Sequence, residues 1–99
     1  MQYSFEWDPE KAKANWRKHG ISFEDGAGLF LDPLAITVTD DEHSETEGRW
    51  VTIGRDERGR LLVLVHTFRE SSVSGRRIRI ISARKAAKRE VRQYEQTEL

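Results

Sequence analysis

Residues 50–68 have the sequence WVTIGRDERGRLLVLVHTF, and this stretch decides the fold. Two runs rich in aliphatic and β-branched residues, Trp50 to Arg55 and Arg60 to Phe68, have the composition and length of strands. Between them, Asp56-Glu57-Arg58-Gly59 carries the polar residues and the glycine typical of a turn. The stretch therefore predicts a β-hairpin, around which the rest of the chain can be arranged.

The residues before the hairpin predict a strand, two helices and a second strand. Apolar and polar residues alternate over 3–7, which is the period of a strand. Asp8-Pro9 suits the start of a helix, because Asp can accept hydrogen bonds from free helix amides and Pro fits the first turn. We expect this helix to run to about His19, and a short second helix to occupy residues 22–31. Residues 36–38 suggest a further strand.

The residues after the hairpin predict one more strand and a terminal helix. In the segment Arg76 to Ile81, Ile78 and Ile80 share one face while Arg77 and Arg79 share the other. We expect a helix from about Ala83, because apolar residues then recur at helical spacing. This apolar stripe consists of Ala83, Ala87, Val91 and Tyr94. The predicted architecture is a single α+β domain over residues 1–99, with an antiparallel sheet meander, two N-terminal helices and a C-terminal helix packed on it.

Composition and charge narrow the class of protein. The chain has no cysteine, which excludes disulfides and thiolate metal sites and favours a reducing compartment. It has no apolar run long enough for a membrane span and no signal peptide, so we expect a cytoplasmic protein without membrane contact. Residues 1–50 carry a net charge of −6 and residues 51–99 a net charge of +6. A basic half of this kind fits a polyanionic partner such as nucleic acid, although a solvated charged surface would look the same.

The predicted entry to the last helix carries positive charge where the helix dipole is already positive. Arg84 and Lys85 would lie in the first turn, at a cost of roughly 0.3–1 kcal/mol each relative to a favourable charge. Such a broken local rule often marks a functional site. Together with Arg77 and Arg79 from the preceding strand, these groups could bind a phosphate. The alternative is two solvated side chains on a helix that packing holds in place.

Histidines offer proton-transfer groups, with structural alternatives. His66 ends a nearly continuous apolar strand and could act as a base or an acid, but a core histidine bonded to a carbonyl fits equally well. Lys18 and His19 could contact phosphate, although cations at a helix C-terminus also complement the dipole. His43 lies in an acidic stretch without the spacing of a metal site. We therefore predict no metal and no cofactor.

These residues fit RNA cleavage without a metal. In that reaction the 2′-hydroxyl attacks the neighbouring phosphate, which needs a base, an acid and cations for the charge on phosphorus. Arginine suits the last role through its fork of donors. Two other classes stay open: a non-catalytic nucleic-acid-binding module that uses the same basic surface, and a pure interaction protein whose apolar patches bind a partner.

Short segments over nearly the whole chain form a further pattern. They are Phe5-Glu6-Trp7-Asp8-Pro9, Lys11-Ala12, Asn15, Lys18-His19-Gly20-Ile21-Ser22-Phe23-Glu24, Phe30-Leu31-Asp32-Pro33, His43-Ser44, Glu47, Arg49-Trp50, Ile53-Gly54, His66-Thr67, Arg69, Arg79-Ile80-Ile81-Ser82-Ala83-Arg84-Lys85-Ala86, Glu90 and Tyr94. In this order they resemble the BrnT family of toxins.

The resemblance implies a type II toxin–antitoxin system and a RelE-like fold. It further implies an endoribonuclease that blocks translation, and a BrnA-like antitoxin with a ribbon-helix-helix part that forms a heterotetramer with the toxin and contacts operator DNA. By the same analogy, the expected active residues are His66, Arg69, Arg79 and Arg84. The expected RNA-binding residues are Lys18, His19, Arg77, Lys85 and Lys88. We expect the active groups to converge on one concave spot sized for a phosphodiester.

Overall fold

The computed structural model describes residues 3–40, 48–71 and 75–96. Five strands form one sheet in the order β1-β5-β4-β3-β2. The elements in chain order are β1 (Tyr3–Glu6), α1 (Pro9–His19), α2 (Phe23–Ala27), a 3₁₀ turn (Gly28–Leu31), β2 (Ile36–Thr39), β3 (Arg49–Arg55), β4 (Leu61–Ser71), β5 (Gly75–Lys85) and α3 (Lys88–Gln96).

The predicted hairpin is confirmed as β3 and β4, which pair antiparallel from Arg49–Thr67 to Arg55–Leu61. The Asp56 carboxylate accepts hydrogen bonds from the backbone amides of Arg58 and Arg60 and so closes the turn. Gly59 has a φ of 81°, in the left-handed region that glycine adopts without steric cost. The predicted turn at Asp56 to Gly59 is therefore confirmed, and it is held by the polar side chain and the glycine on which the prediction rested.

The first helix begins and ends at the residues that the sequence predicts. The Asp8 side chain accepts from the amide of Glu10, and Gly20 ends α1 with a φ of 68°. The Ser22 hydroxyl accepts from the amide of Asp25 and begins α2. The second predicted helix is thus present, but it is divided into α2 and the 3₁₀ turn. The division leaves Leu29 buried beneath the sheet.

The sheet has an apolar cluster on each face. On one face the strand residues Leu62, Leu64 and Ile78 pack against Ile21 and Phe23 from the helical N-terminal half. On the other face Tyr94 of α3 packs with Ile53 and Val63. Because neighbouring residues of a strand point to opposite faces, Val63 belongs to the second cluster while Leu62 and Leu64 belong to the first. The α+β class is confirmed, and the two clusters hold the helices on the sheet.

The prediction of a wholly antiparallel sheet is wrong for the N-terminal strand. β1 pairs parallel with β5, from Tyr3–Arg76 to Glu6–Arg79. β2 to β5 do form an antiparallel meander. The free edge of the last strand of this meander is filled by the first strand of the chain, so the sheet is mixed. No local sequence signal distinguishes a parallel partner from an antiparallel one.

The prediction of a helix from about Ala83 is also wrong, since β5 continues through Lys85 and α3 begins at Lys88. A bulge disturbs the alternation: Val65 pairs with Ser82 whereas His66 pairs with Ile80, which leaves Ile81 as an extra residue. The bulge places the buried Ala83 four positions before Ala87, so that a strand residue extends the helical spacing of Ala87, Val91 and Tyr94 and makes the helix look longer than it is. Arg84 and Lys85 are strand residues, so the argument from a helix dipole does not apply to them.

The predicted loops lie largely outside the described residues. Most of the acidic stretch, including His43, belongs to 41–47, and the tip of the second predicted loop belongs to 72–74. The strands on either side of that tip are longer than predicted, because β4 reaches Ser71 and β5 starts at Gly75. Among the helices that the structure describes, none has the length and apolarity needed to cross a membrane.

Candidate active site

A cleft of about 500 Å³ is lined by residues of β1, α1, β4 and β5. Among the residues that the structure describes, three arginines, one lysine and one glutamate contribute charge to it. Its described lining residues are Glu6, Lys11, Thr67, Phe68, Arg69, Arg77 and Arg79. The basic surface expected from the sequence therefore forms a concave site.

Strand pairing explains why these side chains converge. Arg79 is paired with Thr67 on β4 and with Glu6 on β1, and Arg77 is paired with Arg69 on β4. Paired residues on neighbouring strands, about 4.8 Å apart, project from the same face of the sheet. The arginines at 77 and 79 are two positions apart on β5 and so share this face. The cleft is thus built on regular, paired strands.

Arg69 and Arg77 lie directly opposite each other, an arrangement that destabilises a sheet because like charges face one another. Among the described side chains, no carboxylate lies within salt-bridge distance of Arg69, Arg77 or Arg79. By contrast, Arg60 is held by Asp56 and Asp25, each at 2.8 Å. With respect to the described side chains, the donors of the cleft arginines are therefore available to an external anion, and a phosphate can accept two such donors from one guanidinium.

His66 lies on the opposite face of β4 from Thr67 and Arg69 and is fully buried. Its Nε2 is 2.7 Å from the Thr52 hydroxyl, and its Nδ1 has no hydrogen-bond partner among the described residues. The rings of Phe30 and Phe68 flank it edge-on, with centroids 5.2 and 4.8 Å away. Burial lowers the pKa of His66 to about 4, because a charged imidazole cannot be solvated there. The structure does not bring His66 into the cleft.

Arg84 projects toward α3 rather than into the cleft. Its two terminal nitrogens each donate to one oxygen of Glu90 at 2.7 Å. Glu90 also accepts from the amide of Ala87, ahead of the first residue of α3. The hydrogen bond raises the pKa of Arg84 and lowers the pKa of Glu90. The expected convergence of four active groups therefore holds for Arg69 and Arg79, while His66 and Arg84 lie elsewhere.

The remaining predicted RNA-binding residues divide in the same way. Arg77 lines the cleft. Lys18 and His19 lie at the C-terminal end of α1, and Lys85 and Lys88 lie where β5 ends and α3 begins. None of these four is among the described residues that line the cleft. Their contribution to RNA binding stays a prediction.

The sequence analysis gave no role to three polar residues of the cleft: Glu6, Lys11 and Thr67. Each belongs to a segment that carries the family resemblance, but only the parallel pairing of β1 with β5 brings Glu6 beside Arg79. Lys11 reaches the cleft because α1 begins immediately after β1. Within the described parts of the chain, no three His, Asp or Glu side chains cluster as metal ligands do.

Residues 7–90 match a family model described as the ribonuclease toxin BrnT of type II toxin–antitoxin systems. The chain belongs to this family. The cleft arginines at 69, 77 and 79 all fall within the matched residues, as do Lys11 and Arg84. Membership of a ribonuclease family thus agrees with a cleft whose arginines have no salt bridge to any described carboxylate.

A comparison with solved structures supports the fold. The crystal structure of the Brucella abortus ribonuclease toxin BrnT is similar, with a TM-score of 0.61 and 22% sequence identity. The match covers 89% of this chain and 100% of that one. At this identity the similarity concerns the fold alone. No curated protein matches the chain.

Proposed function

We propose that the protein is a metal-independent endoribonuclease that cleaves RNA through its 2′-hydroxyl and thereby inhibits translation. The observation that carries the proposal is the set of three arginines, Arg69, Arg77 and Arg79, in one cleft without carboxylate partners among the described side chains. A site for a phosphodiester needs this arrangement, because the charge on the phosphate oxygens grows as the 2′-oxygen attacks.

Each cleft arginine has a role that follows from its position. Arg79, between Thr67 and Glu6, is the group that we assign to the non-bridging oxygens of the reacting phosphate. Arg69 and Arg77 face each other one pair further along the strands and hold the same or the adjacent phosphate. Fixed guanidinium groups stabilise the transition state without reorganising, which is the largest electrostatic contribution that such a site can make.

His66 and Arg84 act from outside the cleft in this proposal. The hydrogen bond between His66 and Thr52 fixes β4, the strand that carries Arg69. The pair of Arg84 with Glu90 fixes α3 on β5, the strand that carries Arg79. Both are therefore positioning residues. Lys18, His19, Lys85 and Lys88 are assigned to peripheral contacts with the RNA backbone, which sequence-independent cationic contacts can supply.

Membership of a type II toxin–antitoxin family brings an antitoxin partner and an RNA target. We propose that the partner is a BrnA-like antitoxin with a ribbon-helix-helix part, that the two form a heterotetramer, and that operator DNA is bound through the antitoxin. We further propose that the arrangement of strands and helices is RelE-like and that the protein acts in the cytoplasm.

The purified protein tests the catalytic proposal in a buffer that contains EDTA. We expect cleavage of single-stranded RNA into products with 5′-hydroxyl and cyclic phosphate ends, and no cleavage of RNA whose 2′-hydroxyls are methylated. Arg79→Ala should lose most of the activity, whereas Arg58→Ala in the exposed hairpin turn should keep it. If the protein binds both the unmodified and the 2′-methylated RNA but cleaves neither, it is instead a non-catalytic nucleic-acid-binding module.

A further inference from the structure

Glu6 is the one carboxylate among the described residues that line the cleft. It lies in register with Arg79 on the neighbouring strand and projects from the same face of the sheet. It makes no salt bridge with any described side chain, Arg79 and Lys11 included. A carboxylate in an anion-binding cleft opposes substrate binding through like-charge repulsion, so its presence there needs a reason other than affinity.

The chemistry of the cleft supplies that reason. Attack by a 2′-hydroxyl requires a group that accepts its proton, and guanidinium groups cannot do so because they stay protonated. His66 is buried on the other face of the sheet and cannot reach the substrate. Among the cleft's described lining residues, Glu6 carries the one carboxylate, which is the group suited to accept a proton.

We propose that Glu6 is the general base of the cleavage reaction and that Lys11 is the general acid, an inference that rests on the ribonuclease function proposed above. The 2′-hydroxyl proton passes to the Glu6 carboxylate as the 2′-oxygen forms a bond to phosphorus. The bond from phosphorus to the 5′-oxygen breaks, and the Lys11 ammonium gives that oxygen a proton. The products are a 2′,3′-cyclic phosphate, a 5′-hydroxyl, a protonated Glu6 and a neutral Lys11.

The geometry accounts for this division of roles. Glu6 ends β1, Lys11 lies in the first turn of the helix that follows, and both line the cleft. Arg79 is paired with Glu6, and in the proposed complex with RNA it holds the phosphate between the two proton-transfer groups. A base and an acid on either side of a cation-bound phosphate are the arrangement that in-line displacement requires.

The test compares Glu6→Gln, Lys11→Ala and the wild-type protein on two substrates. One is an RNA oligonucleotide that contains the site cut by the wild-type protein, and the other has sulfur in place of the bridging 5′-oxygen at that site. Thiolate leaves without a proton, so the sulfur substrate removes the need for a general acid but not for a base. Glu10→Gln, on the exposed first turn of α1 and outside the cleft, is the matched control.

We expect Glu6→Gln to cleave both substrates roughly 10²–10⁴-fold more slowly than the wild-type protein, the range for loss of one proton-transfer group. Lys11→Ala should be slow on the normal RNA and close to wild type on the sulfur substrate. Glu6→Gln should bind the 2′-O-methylated RNA at least as tightly as the wild-type protein, because it removes a negative charge. Glu6→Asp should recover part of the activity.

Other outcomes overturn the proposal. Wild-type cleavage by Glu6→Gln, its rescue by the sulfur substrate, or a loss of binding that accounts for its loss of activity would each exclude Glu6 as the base. If Glu6→Gln unfolds, Glu6→Asp decides the assignment. Cleavage slower than that of the wild-type protein, by a folded Glu6→Asp variant that binds normally, supports Glu6 as the base, and wild-type cleavage by this variant overturns the assignment. If the wild-type protein itself cuts no RNA, the proposed function fails, and this result is distinct from all the others.

Discussion

The side-chain amide of Asn15 forms two hydrogen bonds with the backbone of Ala83, donating to its carbonyl oxygen at 2.8 Å and accepting from its amide nitrogen at 3.1 Å. β1 ends at Glu6, so beyond that point this edge of β5 has no neighbour among the described strands. Asn15 takes the place of the missing strand there. The same amide also donates to the carbonyl oxygen of Ile21 at 3.0 Å and so ties the end of α1 to the sheet.

Asn15→Leu should destabilise the protein strongly, since it leaves buried backbone groups without partners. Each unsatisfied group costs about 1–3 kcal/mol, so we expect a loss of about 2–4 kcal/mol in the free energy of unfolding. Urea denaturation measures this loss. Lys13→Ala, on the exposed side of the same helix, should change the free energy of unfolding by less than about 0.5 kcal/mol. A small effect of Asn15→Leu would show that water or another donor replaces the amide.

The stability of the protein should fall on mild acidification because of His66. Its pKa is about 4 in the folded protein, below the ordinary value of 6.5 that applies to the unfolded chain. Between about pH 6.5 and pH 4, His66 is therefore protonated in the unfolded chain but still neutral in the folded protein. For this reason the free energy of unfolding decreases as the pH falls through this interval. The shift corresponds to at most about 3 kcal/mol, reached near pH 4 and constant below it.

A variant that cannot titrate isolates this effect. His66→Gln keeps a hydrogen-bonding group beside Thr52 but has no protonation equilibrium, so its stability should decline less over the same interval. Chemical denaturation at a series of pH values gives the free energy of unfolding of the wild-type protein and of His66→Gln. The difference between the two free energies at each pH measures the contribution of the His66 protonation equilibrium. Parallel curves would mean that the imidazole is solvated in the folded state.

Arg84 and Glu90 should be coupled energetically, and their separation should damage stability more than chemistry. Glu90→Ala removes two charge-assisted hydrogen bonds from Arg84 and one from the amide of Ala87. We expect a loss of about 1–3 kcal/mol and a favourable coupling in a double-mutant cycle with Arg84→Met. The folded Arg84→Met protein should still cleave RNA at a measurable rate. Complete loss of cleavage in a folded variant would place Arg84 among the catalytic residues.

Arg77 should contribute to RNA binding through a phosphate contact. Arg77→Ala should weaken binding of 2′-O-methylated RNA and lower the slope of log affinity against log salt by about 0.7, the value for one contact with a single strand. Arg58→Ala, which changes the same charge in the exposed hairpin turn, should leave the slope unchanged. Equal slopes for the wild-type protein and Arg77→Ala would place the RNA away from this part of the cleft.

Local signals predicted the hairpin and the limits of the first helix because each depends on neighbours in the chain. Asp8 and Gly20 begin and end α1 through hydrogen bonds and backbone angles of that helix alone. The turn at Asp56 to Gly59 is equally self-contained. These features could be read from the sequence without knowledge of the fold.

The site was only partly predictable because it depends on contacts between distant segments. The alternation around Arg77 and Arg79 correctly placed both on one face, and their basic character indicated an anion site. The parallel pairing that brings Glu6 to Arg79 joins residues more than 70 positions apart and has no local signature. His66 could not be assigned from the sequence either, because a histidine in an apolar strand can be a catalytic or a core residue. Its contacts with Thr52 and with the surrounding aromatic rings, which come from other parts of the chain, show that it is a core residue.

The bulge at Ile81 interrupts the alternation of side chains between the two faces of β5. The extra residue lets Ala83 join Ile78 and Ile80 in the core while Arg84 emerges on the same side as Arg79. Deleting Ile81 would turn the downstream half of the strand over, so that a guanidinium group entered the apolar interior and a methyl group faced α3. The segment from Arg79 to Ala83 is therefore intolerant of any change in length, even though substitutions that preserve its length can be accommodated.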